Sequence, residues 1–334
     1  MRVFKLQFYS ALHVDSKGSG EPEVAEEFIH SDTLSAALCL AWNSLYPETG
    51  DDFFLSPPFR LSSAFPYIKD ILLFPTPAWN FWKETDPLER KKLKKIQWLS
   101  KGLLECVLNG HPLSLSETKI ISSVIAISQE EGDANPEALK SPPWIITERQ
   151  RVAVDRLGIP GEGGLFFFAL QFFAPEAGLY FMVDIEDQEL PKFRAALAYL
   201  GDTGIGADRN SGLGHFAVLK ETEFQMKLPS DSNAWLILSL FNPGLEDDIE
   251  ELAEESAYRL LIRTGWISGT TVGRPPIKVF GEGSRFSRRP VGRVVPMLPD
   301  EVKDKYGLPI THSAARDLRA TALPCVWNAI SKGE

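Results

Sequence analysis

The segment that most restricts what this chain can fold into is GDTGIGADRNSGLGHF, residues 201–216. Gly201, Gly204, Gly206, Gly212 and Gly214 all fall inside it. That density calls for backbone held at positive φ, or for backbone approached too closely to carry a Cβ. Exposed N–H groups in such loops cradle phosphates, and Arg209 and Ser211 in the middle are natural phosphate donors. Gly204-Ile205-Gly206 opens like a dinucleotide fingerprint, but Arg209 stands where its third glycine belongs. The order of elements is also inverted. Nucleotide-cofactor motifs run strand, glycine loop, helix, whereas here a helix expected over Leu190 to Leu200 precedes the loop and a strand over His215 to Leu219 follows it. No helix N-terminus is offered to a pyrophosphate. The segment therefore reads either as a structural loop or as one facing a polynucleotide.

The chain has 334 residues, 44% of them hydrophobic and 24% charged, which is ordinary globular composition and long enough for two domains with their own cores. The formal net charge of −10 speaks against a generic nucleic-acid binder, although grip on phosphates depends on where the cations sit. Much of the acid is concentrated in Glu246, Asp247, Asp248, Glu250, Glu251, Glu254 and Glu255. That run reads as a solvated helix face, or as a face that meets a basic neighbour. The three cysteines are far apart and odd in number, so no disulfide framework or CxxC zinc site is present, and Cys39 and Cys106 read as core thiols. The five histidines, at 13, 30, 111, 215 and 312, show no HxxxH or HxD pairing. No metal and no cofactor are expected. The opening MRVFKLQFYS has no apolar signal region, and no stretch is long enough to span a membrane, so the cytoplasm is the expected location.

Alternation predicts a half-buried strand over Val3 to Tyr9. Ser31 then opens a helix as a plausible N-cap, with Leu34, Ala37, Leu38, Ala41 and Leu45 on one face. Short strands are expected at Phe59 to Ser63 and Ile71 to Phe74, one helix over Pro87 to Leu108, a strand over Ile120 to Ile127, and a polar loop from Glu130 to Pro143. Arg149 to Arg156, a turn at Gly158 to Gly164, and the apolar Leu165 to Phe173 look like a hairpin arm rising from a sheet. Strands at Tyr180 to Ile185 and Ala234 to Phe241 follow. The order is α+β rather than doubly wound, and a split βαβ, ferredoxin-like unit used twice fits it best. The division expected is residues 1–175, with the hairpin inserted, and 176–334, with the glycine loop near the junction.

Several segments carry candidate chemistry. The arm offers Arg151 and Arg156 to a phosphate backbone, unless it is only a solvated hairpin. Lys91, Lys92, Lys94 and Lys95 read as a solvated helix face. The stretch GRPPIKVFGEGSRFSRRPVGR interleaves Arg285 and other basic residues with Phe280 and Phe286, a pattern that suits single-stranded RNA. His30-Ser31-Asp32-Thr33-Leu34 sets two hydroxyls, an acid and an imidazole at a helix start, where free N–H groups attract an anion or where Ser31 or Asp32 caps the helix. His30 is the residue a metal-independent ribonuclease would use as acid or base.

These pieces, in this order, resemble one family, the fourth subunit of the type III-A CRISPR effector, the Csm complex, within the repeat-associated mysterious protein (RAMP) superfamily. The resemblance rests on HSDTLSAAL, LSSAFPYIKDILLFPTP, KKLKKIQWLS, RVAVDRLG with GLFFFALQFF, the glycine segment, and VFGEGSRF, which together span nearly the whole chain. It implies two ferredoxin-like (RRM-like) domains with a β-hairpin thumb and a glycine-rich loop. It implies a subunit that holds the five-prime repeat handle of the crRNA and touches the large polymerase-cyclase subunit and the backbone RAMP subunit, with target RNA met only indirectly and no membrane contact. Such a subunit is non-catalytic, because the nuclease and cyclase chemistry lies in its neighbours. Carried over onto this sequence, the RNA-facing residues are Ser31, Arg151, Arg156, Gly204, Gly206, Arg209, Ser211, Gly212, Gly214 and Arg285. Asp32 is expected to cap or position rather than to touch phosphate. The alternatives are a crRNA-processing endoribonuclease of the same superfamily, with His30 as acid/base, and the equivalent subunit of the related Cmr complex, against which the LSSAFPYIKD…LFPTP block argues.

Overall fold

The computed structural model describes residues 1–15, 21–50, 52–83, 86–152, 164–268, 270, 272–297 and 313–327. In chain order its elements are β1 (Arg2–Phe8), α1 (Ser31–Leu45), α2 (Asp52–Leu55), β2 (Phe59–Leu61), β3 (Phe65–Ile68), β4 (Ile71–Pro75), α3 (Pro87–Leu93), β5 (Trp98–Ser100), α4 (Lys101–Leu108), β6 (Thr118–Ile121), β7 (Ile125–Ser128), α5 (Gln129–Ala134), β8 (Trp144–Val152), β9 (Leu165–Phe173), β10 (Ala177–Ile185), α6 (Leu190–Thr203) and β11 (Phe216–Glu223). Then follow β12 (Ala234–Ile237), α7 (Ile249–Ala253), β13 (Leu260–Arg263), β14 (Ile277–Phe280), β15 (Arg285–Phe286), β16 (Gly292–Pro296), β17 (Ala315–Arg319) and β18 (Ala322–Cys325).

The alternation in β1 sorts its side chains onto two faces, as a pleated strand requires. Phe4, Leu6 and Phe8 join a core with Leu34, Leu38 and Trp42 of α1 and Phe193, Leu197 and Leu200 of α6. Val3 points the other way, into a second core with Phe65, Phe74, Trp98 and Tyr180. β1 is therefore an interior strand, next to the edge strand β11, of a nine-stranded sheet ordered β11-β1-β10-β3-β4-β5-β7-β6, with β2 also on β10. β11, β1, β10 and β3 are antiparallel neighbours. Both helices that connect these strands, α1 and α6, pack on the same face of the sheet and against each other. This sheet runs straight through the expected division at 175/176, because β10 and β11 are the strands that flank β1.

Past Glu223 the architecture changes. The described residues there form the small sheets β15-β12-β18, β13-β14 and β16-β17, and α7 is their one α-helix. The chain is thus a mixed fold of sheets with few helices.

Four local expectations change. The single helix over Pro87 to Leu108 is broken into α3, β5 and α4, because Trp98 and Leu99 leave the helix to pair with β4 and β7; Trp98 is 3% exposed, and burial of this ring outweighs helix propensity. The strand over Ile120 to Ile127 is a hairpin, β6–β7, turned by Ser122 and Ser123 at φ 50° and 62°; a tight hairpin needs positive φ at both turn residues, here supplied without glycine. The Glu130 to Pro143 loop begins inside α5, which Ser128 and Glu131 close with reciprocal side-chain bonds to each other's backbone N–H. Cys106 is exposed rather than a core thiol, while Cys39 is buried.

Candidate nucleic-acid interface

The glycine loop follows α6 and is tied to the body of the protein. Gly204, Gly206, Gly212 and Gly214 stand at φ 81°, 92°, 86° and 72°, so the positive φ expected of them is present. What approaches most of them is the chain itself. A Cβ on Gly204 would lie 2.6 Å from the Leu213 carbonyl oxygen, one on Gly206 would run into the His13 carbonyl, and one on Gly214 into that of Ile205. Backbone bonds fasten the loop, from Gly214 N to Ala11 O (2.8 Å), Ala207 N to His13 O (3.0 Å) and Ile205 N to Gly214 O (3.0 Å). Gly204 and Gly214 are buried, so they shape the loop. Arg209, Asn210, Ser211 and Gly212 are exposed on the outward turn, and a Cβ on Gly212 would meet nothing within 4 Å.

The arm is the antiparallel pair β8–β9, in register from Trp144 opposite Phe173 to Val152 opposite Leu165. One face carries Phe166, Phe168, Leu170 and Phe172, which cluster with Ala11 and with Leu213 of the glycine loop. Arg149 lies over the Phe172 ring and Arg151 over the Phe168 ring, at 5.2 and 4.3 Å. Arg151 also forms an ion pair with Asp208, so the structure joins the arm to the glycine loop. Arg156 lies outside the described residues.

The start of α1 differs from its expected role. His30, not Ser31, occupies the N-cap position, and neither side chain caps the helix. Ser31 is 4% exposed; its hydroxyl oxygen accepts from Leu240 N at 3.0 Å and its N–H donates to Ser63 Oγ at 2.8 Å. Ser31 is therefore a pin between two segments rather than a residue that faces RNA. Asp32 is buried and accepts from Arg263 (3.1 Å) and Arg316 (2.7 Å). Burial alone would raise its pKa, but the two guanidiniums outweigh it and hold the carboxyl well below the usual range. His30 is 4% exposed, with Nδ1 2.8 Å from Glu282 Oε1, to which Ser63 also donates.

Arg285 also moves off the RNA-facing set. It is 2% exposed, lies 3.3 Å from the centre of the Trp327 ring and 5.8 Å from that of Trp79, and donates to the Glu255 carbonyl. Desolvation lowers its pKa to about 10. Alternating arginines and aromatics mark a core cation–π stack as well as an RNA platform, and sequence pattern does not separate the two. The acidic run is largely structural. Asp247 accepts from Gly244, Val291 and Gly292 N–H groups, Asp248 caps α7, and Glu251 pairs with Arg288 at 2.8 Å.

Between the glycine loop, the first turns of α1 and the segment Arg263 to Arg274 runs an open groove of about 630 Å³. Gly206, Arg209, Asp32, Thr33, Trp266 and Arg274 are among the residues that line it. Trp266, 54% exposed, escaped sequence reading. Its signal was a lone aromatic between Gly265 and Gly273. Among the described residues no group of three or more His, Cys, Asp or Glu could hold a metal ion, and no helix is long and apolar enough to cross a membrane.

Comparison with known proteins places this geometry. Over 97% of its length the chain superposes on 98% of a chain in the crystal structure of a Csm3-Csm4 subcomplex of a type III-A CRISPR-Cas interference complex, with TM-score 0.68 and 20% identity. It also superposes on a chain of a Csm1-Csm4 cassette in complex with cA4, with TM-score 0.60, 17% identity and 98% and 99% of the two chains covered. The chain shares its fold with these two chains. Residues 230–312 match the model of the CRISPR Csm4 C-terminal domain. The CRISPR system Cms protein Csm4 of Mycobacterium tuberculosis (strain CDC 1551 / Oshkosh) is 25% identical over 272 residues, 77% of this chain and 80% of that protein. Its counterpart in Thermococcus onnurineus (strain NA1) is 26% identical over 245 residues, 70% and 72% of the two. In sequence and in fold the chain is thus similar to Csm4 proteins of type III-A CRISPR complexes.

Proposed function

We propose that this chain is a non-catalytic guide-RNA-holding subunit that caps the five-prime repeat handle of the crRNA and bridges the large polymerase-cyclase subunit to the backbone RAMP subunit. The observation that carries the reading is the junction of arm and glycine loop through Arg151 and Asp208, which leaves Arg209, Ser211 and Gly212 exposed beside an open groove. Cations gathered at such a place can grip a phosphate backbone whatever the net charge of the chain. Structures of relatives with Csm3 and with Csm1 support the two protein partners. Target RNA would be met only through the guide, by base pairing.

The order β11-β1-β10-β3 with α1 and α6 on one face supports a ferredoxin-like unit with β8–β9 as its thumb. In this reading the first unit closes after Glu223, and the second begins near Ala234. The second has one short helix among its described residues, so the ferredoxin-like assignment rests on the first unit.

Co-purification of the chain with its complex, followed by sequencing of bound RNA, should recover repeat-derived five-prime ends. Arg209→Ala should weaken guide capture several-fold and reduce the slope of log K against log salt by about 0.7–1, since each lost phosphate contact removes roughly that much. An unchanged slope takes Arg209 off the interface. Repeat RNA incubated with the purified chain should stay intact. Specific cleavage that His30→Ala abolishes would replace this reading with the endoribonuclease.

A further inference from the structure

The groove beside the glycine loop has a shape and charge that the guide-holding role does not itself require. Trp266 is a large aromatic left 54% exposed on the groove wall. Its position is rigidly held. Ile267 N donates to Val272 O (3.0 Å) and Arg274 N to Gly265 O (2.7 Å), and Trp266 bridges Gly273 across this small hairpin. With no side chain on Gly273, nothing from the opposite strand covers the indole; a Cβ there would find only Gly265 O, at 3.9 Å.

Three arginines gather near Asp32, with Glu26 and Glu282 also acting on Arg263. Arg263 and Arg316 between them occupy both carboxylate oxygens of Asp32. Arg274, close enough to feel both Asp32 and Arg263, is the third guanidinium of the group. Its Nε is buried and has no hydrogen-bond partner among the described residues. A buried polar nitrogen without an acceptor is costly, and an anion entering the groove supplies one. Arg209 is exposed and also lines the groove, while Asp208 beside it is engaged by Arg151. The groove's volume of about 630 Å³ is ample for one nucleotide.

We infer that this groove seats one unstacked nucleotide of the bound strand, with its base against Trp266 and its phosphate between Arg209 and Arg274. The inference rests on the guide-RNA reading above and adds a position and a mode to it. Stacking on an indole accepts any base, so the site selects a splayed nucleotide rather than a sequence.

The test uses the full chain and a fluorescein-labelled 12-nucleotide single-stranded RNA, followed by anisotropy. Trp266→Ala should weaken binding about tenfold, within the range that one lost base stack spans, and Trp266→Phe should restore most of it. Arg274→Gln should lower the salt slope by roughly 0.7–1. Thermal melts establish that each variant is folded. An abasic residue moved along the RNA should, at one position, weaken binding to the wild-type chain and cost nothing further in Trp266→Ala. RNA bound equally well by Trp266→Ala, with unchanged abasic penalties at each position, overturns the inference and leaves the guide-RNA reading standing. A wild-type chain that binds no RNA even at low salt removes both.

Discussion

Asp32→Ala is expected to destabilise the chain by about 3–5 kcal/mol, the usual cost of stripping the partner from buried charges. The two guanidiniums it serves, Arg263 and Arg316, are 4% and 0% exposed, so loss of the carboxylate leaves both buried without it. Thermal unfolding should read this as a fall of roughly 6–15 °C, on the scale of a few degrees per kcal/mol for a chain of this size. The pH dependence has a definite sign. The Asp32 pKa is depressed in the folded state. Its stabilisation is therefore present above the unfolded carboxylate value, about 3.9, and is lost as pH falls through the lower folded value. The stability gap between wild type and Asp32→Ala should stay constant from neutrality to weak acid and close only in strong acid. A loss under about 1 kcal/mol at pH 7 would mean that water already reaches the cluster.

Gly214→Ala should cost about 3 kcal/mol or more, from a left-handed backbone plus a methyl forced against the Ile205 carbonyl. Gly212→Ala stands at a similar φ but meets open space, and should cost only about 1–2 kcal/mol. Urea denaturation of the two variants separates the readings of the glycine segment. If the loop is built around its own chain, Gly214→Ala loses markedly more stability than Gly212→Ala. If the glycines instead make room for RNA, Gly214→Ala would keep its melting temperature and lose RNA.

That contrast also marks what could be read along the chain. The alternation of Val3 to Tyr9, the periodic face of α1 and the helix-loop-strand order around residues 201–216 are local patterns, and each appears in the structure at nearly its expected bounds. The break at Lys94 to Gln97 was hidden because its cause, the pairing of Trp98 and Leu99 with strands β4 and β7, is non-local. Ser31 and Arg285 failed for a related reason. Their residue types suit a surface as well as a core, and partners more than 200 positions from Ser31, or ring faces on either side of Arg285, decided between the two.

The sequence by itself determined the class of fold, the inversion that excludes a nucleotide-cofactor loop, the need for positive φ in the glycine segment, and the resemblance to Csm4 proteins, because these depend on near neighbours and on motif order. Only the tertiary structure decided which glycines are packed against carbonyls, that Arg151 meets Asp208, that Asp32 lies between two arginines, and that Trp266 opens onto a groove. Those outcomes turn on burial and charge pairing between residues tens to hundreds of positions apart, and no local pattern carries that information.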